Sequence, residues 1–543
     1  MTWVTGVGRR QRGLLDRCYT GRHCTVLHHY YSFRRESTTT DITKGLATRA
    51  GHPTYVLSRW LFLRLLGVIY FVAFVSLALQ ITGLVGEHGI LPAGGFLQRA
   101  HAAYGSAAYR LFPTLCWLGA SDGMLRALGW AGAGLALLLV AGVAQAPVLL
   151  LLWLCYLSLA VVGQTFLWFQ WDGLLLETGL LAVLYAPTEL RPSLARERTP
   201  STAVRWLVWA LVFRLMVLSG ITKLASGDPA WLRLTALDYH FWTQPLPPWP
   251  AWYAHWLPEW MHRGMTLAII AIELLVPWLI VVPERWRGRR ARHVACGLLV
   301  LGQLAIALTG NYGFFNLLAI ALCVSLLDDA ALERVLPLRL AAGDPEPRWK
   351  QYAIRGLAPL LALFATLAFA REIAQTLPGT RGAFANPILD AVAPLRSVNG
   401  YGLFRVMTTE RYEIVIEGGA DTVHWREYRF RWKPGDPARR PPFMAPHMPR
   451  LDWQMWFAAL NPEGARDWLL PLLRHLLAGT PAVLTLLGEN PFPSGPPRYV
   501  RLAYYRYRFS TPTERAMAGA WWQRERVGYL TEALSLGELV PPR

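Results

Sequence analysis

Nine apolar runs, at about residues 61–82, 123–143, 147–168, 173–186, 204–222, 264–283, 293–309, 312–327 and 354–371, leave this chain few ways to fold. A helix needs about 20 residues to cross hydrocarbon. The run 173–186 is short by that measure and 312–327 is marginal. The pattern predicts a polytopic α-helical membrane protein of about nine spans, followed by a C-terminal extramembrane α+β domain with a small antiparallel sheet.

The loops between the runs set an orientation. Basic residues collect before the first run (Arg34, Arg35, Lys44, Arg59), in 187–203 (Arg191, Arg196, Arg198) and in 283–292, which reads ERWRGRRAR. The positive-inside rule puts these three segments in the cytosol. Alternation then places 83–122, 169–172, 223–263, 310–311 and everything after about 372 outside. The net charge of +19, from 54 basic and 35 acidic residues, follows from this topology. It does not call for nucleic acid, and the partner implied is the lipid bilayer.

Three regions result. Residues 1–55 are polar and Arg-rich, have no apolar core of a signal peptide, and read as a disordered basic tail. Residues 56–372 form the transmembrane helical domain. In residues 373–543, GYGLFRVMTT, RYEIVIEGG, TVHWREYRFRW and RYVRLAYYRYRF are strand-like, 450–476 is helical, and Thr511 with Pro512 starts a final helix as N-cap and N1. The outer segment 95–112 is amphipathic and suits either the membrane interface or the underside of the soluble domain.

The six cysteines (18, 24, 116, 155, 296 and 323) form no CxxC, and no GxxxxGK[ST], HExxH or GxSxG occurs. Thiol–disulfide chemistry, a structural zinc site and the common hydrolase and nucleotide motifs are disfavoured, and neither a metal nor a cofactor is implied. The chemistry that remains lies in polar residues within apolar spans. Gln164, Asp172, Glu177, Arg214, Glu273 and Gln303 all fall in the outer half of the bundle, with Asn311 in a tight outer turn. Isolated charges at such depth are costly, so Arg214 is expected to pair with Glu273 or Glu177. The pairing either fixes helix register or floors an outward-opening polar pocket capped by Lys223, Asp228, Asp238 and His240. Asp172 also suits an N-cap role.

Lysine occurs only at 44, 223, 350 and 433 in an otherwise arginine-based chain. Lys223, at a span end, is therefore either a base, which a lysine becomes when desolvated, or a snorkelling interfacial charge. In the proline-rich loop 433–450, Arg439, Arg440 and His447 offer a candidate partner surface.

Four stretches resemble the lipase maturation factor family: FQWDGLLLETGLLAVLYAP, FRLMVLSGITKLASGDPAWLRLTALDYHFWTQPLP, LTGNYGFFNLLAIALCVSLLDD and KPGDPARRPPFMAPHMPRLDWQMWFAAL. The resemblance covers about 55–510. It implies a membrane protein that assists folding or assembly of secreted lipases, with its C-terminal region lumenal in the endoplasmic reticulum of animals. The Arg-heavy usage suggests a bacterial member, in the inner membrane with that region in the periplasm. Exported proteins, lipases among them, are then the clients. A second, local resemblance ties SGITKLASGDPAW to the vitamin K-dependent carboxylases. It implies an enzyme with Lys223 as catalytic base and His240 beside it, acting on a quinone or lipid.

Overall fold

Among the described residues, seven helices are long and apolar enough to cross a membrane: α1 (Val56–Ala78), α2 (Asp122–Ala141), α3 (Gln145–Val162), α5 (Thr202–Ala225), α6 (Glu259–Leu274, continued by a 3-10 turn to Ile280), α7 (Gly288–Thr309) and α9 (Arg348–Thr376). They are seen in a computed structural model that describes residues 54–539 apart from 193, 195, 196, 337, 339–345 and 377–385. The basic tail, with Cys18, Cys24 and Lys44, lies outside the described residues.

The expected count of nine spans is not confirmed. The two doubtful runs form shorter helices, α4 (Gln170–Tyr185) of 16 residues and α8 (Phe315–Val324) of 10. At 1.5 Å per residue they reach only ~24 and ~15 Å. The ends of α4 nevertheless contact opposite faces of the bundle. The start of α4 meets Arg450 through Asp172, and its end meets Arg59, which donates to the Tyr185 carbonyl at 3.4 Å. The carbonyl of Val324, closing α8, accepts from Ser58 at 3.1 Å.

One face is basic, and Arg59 is tied down within it. Arg59, fully buried, pairs with Glu197 at 3.1 Å and Glu346 at 3.2 Å. Asp329 takes the Val56 and Leu57 N–H groups at 2.9 and 2.8 Å, a carboxylate on the positive end of the α1 dipole. Ser121 caps α2, and Gly142 ends it with φ +81°, a left-handed conformation that costs glycine little. Helices α1 and α2 pack most closely where small residues let them. A Cβ on Gly132 would lie 2.3 Å from the Phe74 ring. Such contact is the main adhesive between helices in lipid, where burial of apolar surface gives no advantage.

The C-terminal region sits on the other face, and from Tyr55 onward the chain forms one compact unit. Its sheet has the order β2 (Trp425–Glu427), β1 (Arg411–Gly419), β3 (Tyr499–Phe509) and β4 (Trp522–Tyr529), all antiparallel, with β5 (Leu534–Ser535) against β3. Helices α10 (Arg450–Leu460) and α11 (Arg466–Leu477) fill the predicted helical stretch. Thr511 caps α12 (Pro512–Ala518) reciprocally with Glu514, with Pro512 at its start. Two expectations fail. Residues 401–409 form turns, because their backbone is drawn to the bundle, and α12 is not the final element, because β4 follows it as an edge strand. The amphipathic stretch 95–112 is split into helices Ala93–Tyr104 and Ala107–Leu111.

Replacing Gly132 with leucine is expected to destabilise the bundle by about 1–3 kcal/mol through overpacking against Phe74. Thermal melting of the purified protein in detergent measures it.

Candidate functional site

Helix α4 carries Asp172 in its first turn and Glu177 five residues later. At about 100° per residue their side chains leave the helix about 140° apart, so they take different partners. Asp172 accepts both ends of the Arg450 guanidinium, at 2.6 and 2.8 Å, and the Tyr156 hydroxyl at 2.6 Å. It is therefore an ion-pair acceptor rather than an N-cap; Phe169 precedes the helix and makes no side-chain cap. Glu177 accepts from Arg214 at 2.7 Å, the Tyr401 hydroxyl at 2.7 Å and the Asn399 N–H at 3.2 Å. Arg214 also donates to the Asn399 carbonyl at 2.6 Å. Of the two acids open to Arg214, Glu177 is the one it meets.

The remaining polar residues follow the same pattern. Ser76 and Gln80, at the end of α1, bind the backbone of 448–450: Ser76 Oγ accepts from Met448 N, and Gln80 Oε1 from Arg450 N, each at 2.9 Å. Asn311 accepts from Met444 N at 3.0 Å and donates to the Pro442 carbonyl at 3.0 Å. Asp228 caps the turn at Ala230 and takes Met407 N at 2.5 Å. Gln164 donates to the Leu91 carbonyl at 2.9 Å, and Gln303 accepts from Asn316 at 2.9 Å. Asp238 meets His262 at 2.8 Å. The predicted pocket residues are thus not gathered around one opening. Beside Arg214 and Glu177 remains a space of about 20 Å³, room for about one water.

Lys223 is 4% exposed and donates to both oxygens of Glu273 at 2.8 Å. This third charge pair, after Asp172–Arg450 and Glu177–Arg214, accounts for Glu273. Lys350 meets Glu346 at 2.9 Å and Lys433 meets Glu413 at 2.7 Å, and both lysines are 5% exposed. Every lysine among the described residues is thus a buried partner of glutamate. The three described lysines share one arrangement, a buried pair with glutamate. His240 Nε2 lies 3.0 Å from the Tyr312 hydroxyl, which donates to Gln244 at 2.8 Å, so the histidine donates. Burial, aided by the Lys223 charge, holds its pKa down at about 4, and it is neutral near pH 7.

In the proline-rich loop, Arg439 and Arg440 are exposed. Arg439 donates to the carbonyls of Phe430 and Arg431, and Arg440 lies 4.4 Å from the Trp249 ring. His447 turns inward instead, with Nδ1 2.9 Å from Ser76 Oγ, because the 444–450 backbone is tied to α1 and Asn311. No group of three metal-ligating side chains occurs among the described residues. Sequence reading missed Arg450, Tyr401, Asn399, Ser76 and Gln80, the partners that the acids and the loop backbone meet.

The fold and this junction define a class: a polytopic membrane protein whose extramembrane sheet domain is latched to the bundle through buried polar groups. Residues 57–334 match the model of the lipase maturation factor transmembrane domain, and residues 397–531 that of the lipase maturation factor C-terminal domain. Lipase maturation factor 2 of Homo sapiens is 37% identical, over 89% of this chain and 83% of the relative. Lipase maturation factor 1 of Bos taurus is 35% identical, over 91% and 92%. The chain belongs to the lipase maturation factor family. No solved structure matches it. The matches lend no support to the carboxylase-like alternative.

Asp172→Asn leaves the Arg450 charge buried and is expected to cost about 3–5 kcal/mol of docking. Faster hydrogen exchange across 397–410 and 440–452, with the sheet itself protected, is the signature to measure.

Burial first, then the charges of Arg450 and Arg431, hold His447 down at about 4. The unfolded chain takes up this proton near pH 6.5 and the folded chain only near 4, so stability from His447 falls as pH drops through that window. Asp452, pushed up to about 6 by burial, works in the opposite sense. The comparison is therefore with His447→Gln, whose melting temperature should fall less than that of the wild type between pH 7 and 4.5.

Proposed function

We propose that this chain holds its sheet domain against the outer surface of the membrane and there assists folding or assembly of exported proteins, lipases among them. The names of its relatives supply the client class. The observation that supports this reading is how the polar groups of the bundle are used. Asp172, Glu177, Arg214, Asp228 and Asn311 bind backbone or side chains of residues 399–450, and Lys223 is taken up by Glu273. A membrane enzyme would spend such groups on a substrate. Here they go to the position of a domain. In this reading the basic face is cytosolic, by the positive-inside rule, and the sheet domain faces the periplasm of a bacterial cell. Arg439 and Arg440, exposed on the proline-rich loop, are the residues offered to clients.

Deleting the gene is expected to lower the specific activity of a secreted lipase without lowering its synthesis. Wild type restores it, and so does the double variant Lys223→Met/Glu273→Leu, which replaces one buried pair by apolar packing. Asp172→Asn does not. Full secreted lipase activity in the deletion strain would overturn the proposal, and failure of the double variant in a protein that still folds would favour chemistry at Lys223.

A further inference from the structure

A groove of about 880 Å³ lies between α5 and α9, away from the sheet domain. Its walls are Ala203, Leu207 and Ala210 on α5 and Ile354, Ala358 and Ala362 on α9, small or aliphatic residues whose short side chains leave the space unfilled. Its mouth is at the basic face, where Thr199, Ser201, Gln351 and Arg355 line it. Along α9 the groove runs from Gln351 to Ala362, ~16 Å at 1.5 Å per residue, about half the ~30 Å hydrocarbon thickness. It is one leaflet deep. A partner helix crossing the membrane would need a groove of twice that length.

Arg355 sits two turns into α9 and has neither an ion pair nor a hydrogen bond among the described residues; its guanidinium lies 5.6 Å from the Tyr352 ring. The other charged group at the mouth, Glu346, is already neutralised, by Arg59 at 3.2 Å and Lys350 at 2.9 Å. Among the described residues the free charge there is therefore positive. Trp206, Trp349 and Tyr352 are 41, 65 and 65% exposed near the same level, as aromatic rings are at a headgroup boundary. An apolar slot one leaflet deep, opening at an unpaired arginine beside two hydroxyl residues and an aromatic belt, has the shape and charge of a phospholipid.

The geometry points to a specific site for one anionic phospholipid of the basic-face leaflet, with an acyl chain between α5 and α9 and its phosphate on Arg355. This site is independent of the client-binding role. Helix α9 lies outside both regions matched by the family models, so the site is read from this chain's own residues.

The test uses the full chain, delipidated in detergent and offered phosphatidylglycerol or phosphatidylcholine of matched chains, with bound lipid counted by native mass spectrometry. Wild type should retain one phosphatidylglycerol in preference to phosphatidylcholine. Arg355→Gln, an exposed change that leaves the fold intact, should cut that preference about fivefold, the contribution of one basic residue toward an anionic surface. Ala362→Phe, at an exposed position inside the groove, should abolish retention of both lipids while the melting temperature stays close to that of wild type. Equal retention of the two lipids by wild type would overturn the proposal. So would undiminished retention by Ala362→Phe, or a dimer of the wild type that this variant splits, which would mark the groove as a contact between copies.

Discussion

The ion pair between Asp172 and Arg450 is what the junction depends on. Both side chains are nearly fully buried, and desolvating them costs several kcal/mol each before any attraction is counted. The pair holds because its geometry leaves little unmet. Two guanidinium nitrogens meet two carboxylate oxygens, Tyr156 donates to one of those oxygens, and the Phe166 carbonyl takes a further guanidinium proton at 3.3 Å. One partner belongs to the bundle and the other opens the helix that packs on β1. Neither is tolerable without the other, so the two parts of the chain are stable only when docked.

The lysines extend this logic. An ammonium is a compact charge with three donors, whereas a guanidinium needs a wider planar cradle. The acceptors of Lys223, Lys350 and Lys433 are in each case a carboxylate and one or two carbonyls. Lys350 takes Glu346 and the Ala186 carbonyl; Lys223 takes Glu273 and the Ser219 carbonyl. Arg411 instead spreads its donors over three converging carbonyls, those of Trp242, Gln244 and Pro245.

Much of the bundle was legible because its information is local. An apolar run of sufficient length is a helix whatever surrounds it, and Thr511, Pro512 and Glu514 announce a helix start within four residues. The acids were legible too, since a charge within an apolar span must meet something. What they meet was not. Arg450 is 278 residues from Asp172, and Tyr401 is 224 from Glu177. Nothing in the pattern around Tyr401 marks it as a hydrogen-bond donor to a membrane helix; its neighbours read as a strand. That misreading and the missed partner have one cause. The backbone of 397–407 spends its hydrogen bonds on α4, α5 and the turn at Asp228 instead of on a sheet.

The polar character of this junction also bears on how the domain is used. Apolar surfaces would hold the domain as tightly, since buried ion pairs gain little over well-packed hydrocarbon, but they would let it slide. Directional bonds do not. Asn311 reads two successive backbone N–H groups and one carbonyl of the proline-rich loop, and Gln80 reads an N–H and a carbonyl two residues apart. Each such contact is satisfied at one register only, and a shift by one residue would leave buried donors unmet at about 1–3 kcal/mol apiece. The loop that carries Arg439 and Arg440 is thus fixed in height and rotation over the membrane. In the proposed role such rigidity is an advantage, because a fixed surface spends none of its binding energy on ordering itself.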